Sequence, residues 1–249
     1  TISDWELIVA DDGSTDDTEK VMRELAKREK RIVYLRNSTP RLNIAQASNW
    51  ALASAQGEYI AILDDDDSWI NPIKLEMQVT YLARNAQSAC CGGGIVFVDR
   101  EGAETGRLLQ PERDAEIRKG ALFSSPVANS TALFRRGQAQ QIGGYDESLE
   151  QFADWAFWLK LGRLGEFHNM QKHLASYTRW MGNSSYQNRT ANGRSAVRIV
   201  KQYGDDYPWR HLGLLWAYLY PLRGRSLVSF REVVRRFQNF GRKEVLERH

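Results

Sequence analysis

The apolar run Tyr59-Ile60-Ala61-Ile62-Leu63 ends in four consecutive aspartates, Asp64 to Asp67, followed by Ser68 and Trp69. A short β-rich segment that delivers four carboxylates from its carboxyl end narrows what the chain can be. Adjacent like charges repel, and an apolar core does not hold them ionised. They belong at a solvent-facing edge, where a cation relieves the repulsion. Hard divalent ions such as Mg²⁺ and Mn²⁺ take oxygen ligands and share them with substrate phosphates. The carboxyl ends of strands are also where open α/β sheets bind ligands. The competing reading of this segment is a solvated acidic turn.

The chain of 249 residues is long enough for one α/β domain with an appendage. Its 34 basic and 31 acidic residues nearly balance, so no nucleic-acid partner is implied. Cys90 and Cys91 are adjacent, which makes neither a disulfide framework nor a metal spacing. A reducing, cytoplasmic compartment is the expectation. No signal peptide is legible. The apolar patch from Leu212 to Leu222 is interrupted by Pro221 and closed by Arg223, too short to span a bilayer. The chain opens at Thr1 just ahead of a strand, so the expectation is that its natural amino terminus lies upstream.

Strand and helix patterns alternate through the first half. Residues 6 to 10 read as a strand, and Ser14 or Thr15 caps a helix that starts near Asp16, with Val21, Met22, Leu25 and Ala26 on one face. A strand follows over 31 to 35. Ala47, Ala51 and Ala55 mark a small-residue helix over 44 to 55, before the strand at 59 to 63. Asn71-Pro72 starts a helix that turns Leu75, Val79 and Leu82 inward, and 95 to 98 is a strand. This rhythm predicts a mostly parallel sheet with helices on both faces. Residues 103 to 128 read as loop and short helix, and 130 to 134 as a strand. Gly143 to Glu147 is a turn, and Asp154 opens an aromatic helix. In the tail, 226 to 240 reads as a helix with Phe230, Val234, Phe237 and Phe240 on one face and arginines on another.

Two further acidic positions stand out. Asp11-Asp12-Gly13 follows a strand and lies on the same sheet edge as the aspartate run. An aspartate there accepts a hydrogen bond from a base N–H or a ribose hydroxyl, or simply makes an Asx turn. Asp154 sits where a helix dipole favours an anion, as a cap or as a group delivered to the acidic edge.

The blocks Glu6 to Asp16, Gly57 to Asp67, Gly143 to Glu147 and Asp154 to Leu161, in this order, resemble family 2 glycosyltransferases of the GT-A fold over about residues 1 to 185. The resemblance implies a Rossmann-like mixed sheet flanked by helices. It implies a catalytic domain over 1 to 190 and a basic, aromatic helical extension over 191 to 249. It also implies roles. Asp12 matches the residue that reads the nucleotide base, usually uracil, so a UDP-sugar is the expected donor. Asp64 to Asp66 match a D-x-D signature in which Asp66 holds Mn²⁺ or Mg²⁺, and Asp64 or Asp65 meets ribose or the waters of the metal. Asp154 matches the catalytic base of inverting members, and Arg41 and Asn49 flank the nucleotide. Three departures accompany the match. The family's usual first strand, with its Pro and Asn, is absent ahead of the Asp11 block, Ser48 replaces an Arg, and Trp180 stands where a His is common.

The expected reaction is inverting, metal-dependent transfer of a sugar to a saccharide or lipid-linked acceptor, in polysaccharide or glycoconjugate synthesis. Two alternatives stand beside it. Asp64, Asp66 and Ser68 mimic the signature of a haloacid-dehalogenase-like phosphatase, and a non-catalytic nucleotide-sugar binder fits the departures. Residues 209 to 240 combine aromatic and basic side chains that suit either packing on the domain or peripheral contact with the inner face of an anionic membrane.

Overall fold

The structure is a computed structural model, described here for residues 2–37, 42–179 and 189–222. Arg41, Trp180 and the expected helix over 226 to 240 lie outside the described residues.

The chain opens with β1 (Leu7–Asp11), α1 (Thr18–Arg28) and β2 (Ile32–Arg36). β1 and β2 pair in parallel, with Leu7 opposite Ile32 and Asp11 opposite Arg36. They form a two-stranded sheet of their own, so the Asp11-Asp12 turn and the aspartate run after Tyr59–Ala61 leave different sheets and not one sheet edge as expected. No α1 residue is buried, and Val21 and Leu25 of its expected inner face are exposed. α2 (Ile44–Ser54) begins with a capping box, in which Asn43 Oδ1 accepts from Gln46 N and Gln46 Oε1 accepts from Asn43 N.

The second sheet has six strands: β3 (Tyr59–Ala61), β4 (Ser68–Trp69), β5 (Ser88–Val98), β6 (Glu104–Leu108), β7 (Leu133–Arg135) and β8 (Glu166–Thr178). Their order is β3-β7-β5-β8-β4, with β6 on β5. Only β5 and β8 pair in parallel in this sheet; β3–β7, β5–β7, β5–β6 and β4–β8 are antiparallel. The architecture is therefore a mixed α/β sheet, not the mostly parallel one that alternation alone predicts. Alternation counts crossovers and does not see hairpins such as β5–β6, whose turn is held by Asp99 Oδ1 accepting from Glu101 N and Ala103 N.

Several boundaries differ from the sequence reading. α3 (Lys74–Arg84) starts after Asn71-Pro72, because Asn71 Oδ1 accepts from Ile73 N and the Asn-Pro pair forms the turn before the helix. The strand expected at 95 to 98 begins at Ser88 and runs through Gly92-Gly93-Gly94. Glycine suits this path. A Cβ on Gly92 would stand 2.4 Å from Val127 Cγ1, and one on Gly93 would stand 2.5 Å from Leu174 Cδ1. The strand expected at 130 to 134 is split into a 3₁₀ turn, Asn129–Thr131, and β7. Within 103 to 128 the chain forms β6 and α4 (Asp114–Gly120), and α5 (Arg136–Gln141) follows β7.

The core centres on α6 (Ala153–Leu161). Trp155, Phe157, Trp158, Leu159 and Leu161 are all buried, so α6 is a helix enclosed around most of its circumference. Phe157 stacks on Tyr145 with centroids 4.3 Å apart and meets Phe134 edge-on at 5.1 Å. α7 (Arg189–Tyr203) and α8 (Arg210–Tyr218) continue this core through Ala196, Ile199, Val200 and Trp216. Among the described residues, no helix is long and apolar enough to cross a membrane.

Candidate active site

The first acidic turn is built by Asp11. Its Oδ1 accepts from Gly13 N at 3.0 Å and Ser14 N at 2.7 Å, and its Oδ2 accepts from the Tyr34 hydroxyl of β2. Gly13 has φ +105°, a left-handed conformation that glycine adopts freely. Burial pushes the Asp11 carboxyl up, but the Tyr34 hydroxyl and the Ser14 and Gly13 N–H groups outweigh it and hold the group at about 2. Asp11 is thus the scaffold that presents Asp12, the next residue, at the carboxyl end of β1.

The aspartate run is held from below by residues distant in sequence. Ser130, at 0% exposure, is the hub: its Oγ accepts from Asp64 N at 3.0 Å and donates to Asp67 Oδ2 at 2.6 Å. Asn129 Nδ2 donates to both oxygens of Asp64, at 2.8 and 3.1 Å. The Ser130 carbonyl accepts from Trp69 Nε1 at 2.8 Å, and its N–H donates to the Tyr177 hydroxyl at 3.0 Å. Thr178, at the end of β8, donates its N–H to Asp67 Oδ1 and its hydroxyl to the Asp66 carbonyl. This anchoring sorts the run: Asp64 and Asp67 turn onto the scaffold, whereas Asp65 and Asp66 are exposed. Burial raises the Asp64 carboxyl, opposed by Asn129 and reinforced by the charge of Asp66. Burial likewise lifts Asp67 to about 6 against the Ser130 hydrogen bond.

Beneath the run, Lys74 is buried with its Nζ 4.3 Å from the centre of the Trp69 ring. Burial lowers its ammonium to about 7. Gln78, one turn on, donates to the Cys91 and Thr131 carbonyls at 3.0 and 2.8 Å, which fixes the 3₁₀ turn to α3.

Asp154 lies in the first turn of α6, after Phe152, which has φ 62°. A left-handed phenylalanine is strained backbone. It is retained where its ring packs edge-on against Trp155 and Tyr220. Burial and the charge of Asp64 raise the Asp154 carboxyl to about 6, opposed by the Trp155 N–H. The hydroxyls of Tyr145 and Tyr177 are raised by burial and then by Asp64 and Asp154 together. The structure therefore brings Asp154 and Asp64 into electrostatic reach of one another.

Asn49 has a scaffolding place. Its Nδ2 donates to the Tyr145 carbonyl at 3.0 Å and Glu147 Oε1 at 2.8 Å, and its Oδ1 accepts from Tyr145 N at 2.7 Å. It pins the Gly143–Glu147 turn, where Gly143 and Gly144 both have positive φ. From the other side, Arg198 of α7 donates to the Ser148 carbonyl and hydroxyl, and the Ser195 hydroxyl accepts from Gln151 N. The loop that leads into Asp154 is clamped between α2 and α7.

Among the described residues, no three His, Cys, Asp or Glu side chains converge as a metal cage. The donor set nonetheless suits a hard cation, because Mg²⁺ is ordinarily held by one or two carboxylates plus waters and substrate phosphates. The exposed Asp65 and Asp66 offer such carboxylates. Sequence reading missed Tyr34, Asn129, Ser130, Tyr177 and Thr178. Tyr34, Asn129, Ser130 and Thr178 act on a carboxylate through contacts that span 23 to 111 residues of chain, and the Tyr177 hydroxyl accepts from Ser130 N; no local pattern carries these contacts.

The model of glycosyl transferase family 2 matches residues 1–143. A chondroitin synthase of Pasteurella multocida is 27% identical over 203 residues, covering 81% of this chain and 20% of that protein; the chain thus spans about a fifth of that relative's length. Among solved structures, S. aureus TarS 1–349 in complex with UDP-GlcNAc aligns with a TM-score of 0.62 at 16% identity, covering 92% of this chain and 66% of that one. The mannosyltransferase PcManGT of Pyrobaculum calidifontis, in complex with GDP-Man and Mn²⁺, aligns with a TM-score of 0.58 at 18% identity, covering 95% and 74%. The shared architecture is the GT-A fold.

Two outcomes follow from the scaffold. Ser130→Ala leaves the Asp64 N–H and the Asp67 carboxylate without their shared hydroxyl; urea denaturation should show a loss of about 1 to 3 kcal/mol. Tyr34→Phe removes a donor to a carboxylate held near 2. The stabilisation from a depressed carboxyl is present above its unfolded value and vanishes as pH falls through the folded one. Tyr34→Phe should therefore lower stability above about pH 4 and match the parent near pH 2. Thermal melts across that range check the sign.

Proposed function

The chain belongs to glycosyl transferase family 2, and on that premise we propose that this glycosyltransferase moves a sugar from a UDP-sugar to an acceptor hydroxyl with inversion at the anomeric carbon. The acceptor class we infer is a saccharide or lipid-linked saccharide of polysaccharide or glycoconjugate synthesis, a reading supported by the chondroitin synthase relative. The complexes of similar folds with UDP-GlcNAc and with GDP-Man and Mn²⁺ support a nucleotide-sugar donor and a divalent ion. The family match removes the phosphatase alternative. The buried thiols Cys90 and Cys91 suit the cytoplasm.

The observation that carries the proposal is the pairing of Asp154 with the aspartate run. A general base serves best when its pKa lies near working pH, and Asp154 is lifted to about 6 by burial and by Asp64. In this reading Asp12 accepts a hydrogen bond from the base of the donor, and of Asp64 and Asp65 it is the exposed Asp65 that would meet ribose or the waters of a bound metal, since both oxygens of Asp64 accept from Asn129. Asp66 holds Mn²⁺ or Mg²⁺, which when bound neutralises charge on the departing diphosphate. Asp154 takes the proton of the acceptor hydroxyl as its oxygen attacks from the face opposite the leaving group. Asn49 acts by holding the loop before Asp154, and Arg41 flanks the nucleotide. Residues 1 to 190 form the catalytic unit, and 191 to 249 an extension whose described part, α7 and α8, packs on its core.

Asp154→Asn should keep donor affinity and lower turnover by about 10²- to 10⁴-fold. In the parent protein, turnover should rise with pH through about 6 as Asp154 loses its proton. A product of retained configuration, or equal loss of donor affinity, overturns the role given to Asp154. Donor binding by the parent without any turnover instead marks a non-catalytic binder. Asp66→Asn should abolish the Mn²⁺-dependent part of the thermal shift given by a UDP-sugar, a readout independent of activity. An unchanged shift removes Asp66 as the metal ligand.

A further inference from the structure

The helix α8 is apolar on both faces. Its inner face, Gly213, Trp216 and Ala217, is buried; Trp216 packs edge-on against Trp155 of α6 at 6.0 Å. Its outer face carries Leu212, Leu215 and Tyr218 beside the exposed His211, with Trp209 at the amino-terminal end; Trp209, Leu212, Leu215 and Tyr218 are between 43% and 56% exposed. A helix that is hydrophobic all round is ordinarily enclosed. Among the described residues, the outer half stands open.

The charges beside this face indicate what covers it. A groove of ≈ 630 Å³ lies between α7 and α8, lined by Arg194, Val197, Arg198, Lys201, Tyr218 and Pro221 among others. Its cations come from α7: Arg194 pairs with Glu150 and Arg198 with Ser148 and Asp146, while Lys201 Nζ lies 5.7 Å from the Tyr218 ring at the edge of the apolar face. The sequence from 223 to 249 adds eight Lys and Arg against three Glu. Apolar side chains bordered by Trp, Tyr and cations suit the boundary between acyl chains and anionic headgroups. A further copy of this chain would bring the same cations against themselves.

We propose that the outer face of α8 docks on an anionic lipid bilayer, with Leu212 and Leu215 entering the acyl boundary and Lys201, beside the Tyr218 ring, receiving a phosphate headgroup. The membrane contact expected of residues 209 to 240 is thereby assigned to named side chains of α8 and α7. Because the inner face of α8 packs on α6, docking would hold the helix that carries Asp154 one helix layer from the lipid surface.

The test is flotation of the full chain with phosphatidylcholine vesicles, with and without phosphatidylglycerol, at low and high sodium chloride. The parent should float with the anionic vesicles and be released by salt. The double variant Leu212→Ser, Leu215→Ser should lose about tenfold or more in partitioning while keeping its melting temperature and its donor-induced thermal shift. Lys201→Glu should weaken the preference for anionic vesicles. Failure of the parent to float, or equal flotation of the double variant, overturns the proposal. So does a fall in melting temperature alone, which shows the chain covering its own helix, or a change in mass by light scattering alone, which shows a second copy. Donor binding is read in solution without lipid, so none of these outcomes touches the glycosyltransferase reading.

Discussion

Four aspartates side by side repel one another, and the hydroxyl of Ser130 is what lets them share one loop. By accepting from Asp64 N and donating to Asp67 Oδ2, it ties the first and last members of the run to a buried turn. Charged partners make such hydrogen bonds stronger than neutral ones, and burial makes them costly to lose. The turn is itself fixed by Gln78 from α3, Tyr177 from β8 and Trp69 from β4. Three elements thus converge on one turn so that Asp65 and Asp66 can face outward. The acidic edge is a property of the whole sheet, although its carboxylates come from four consecutive positions.

Asp154 depends on a different support. α6 is buried nearly all round, which fixes the axis along which its first residues point. The loop ahead of it is clamped by Asn49 from one side and by Ser195 and Arg198 from the other. Asn49 and α7 lie far apart in sequence, yet both act on the stretch 145 to 151. This accounts for why α7 and α8, beyond the segment that matches the family model, share the hydrophobic core of the catalytic half. Separate placement of the base and of the acidic run lets burial tune Asp154 without burying Asp65 and Asp66.

The carboxylates were legible in the sequence because their signals are local. Asp12, Asp64 to Asp66 and Asp154 each follow a strand or open a helix, and the structure sets them at those ends. Their holders were not legible, since Ser130 reads as a strand residue and Tyr34 as part of an ordinary β2. Asn49 was assigned to the nucleotide because of its neighbourhood in sequence, whereas its amide is spent on the backbone of Tyr145. The longest strand, β8, went unseen because Asn169, Gln171, Lys172 and His173 break its apolar pattern. Asn169 is nonetheless fully buried, with its Nδ2 donating to the Pro111 and Pro126 carbonyls. Interior polar residues satisfied by loop carbonyls look like surface residues until the fold is known. α1 shows the reverse error, an apolar stripe that implies burial and in the structure is exposed.

Gly92-Gly93-Gly94 bears on the genetic robustness of the chain. Any missense change at these codons adds at least a methyl group to a strand whose neighbours leave no room for one on three successive residues. Such a strand concentrates mutational fragility directly behind the turn that carries Ser130, since Gly93 N donates to Thr131 Oγ1 at 3.1 Å.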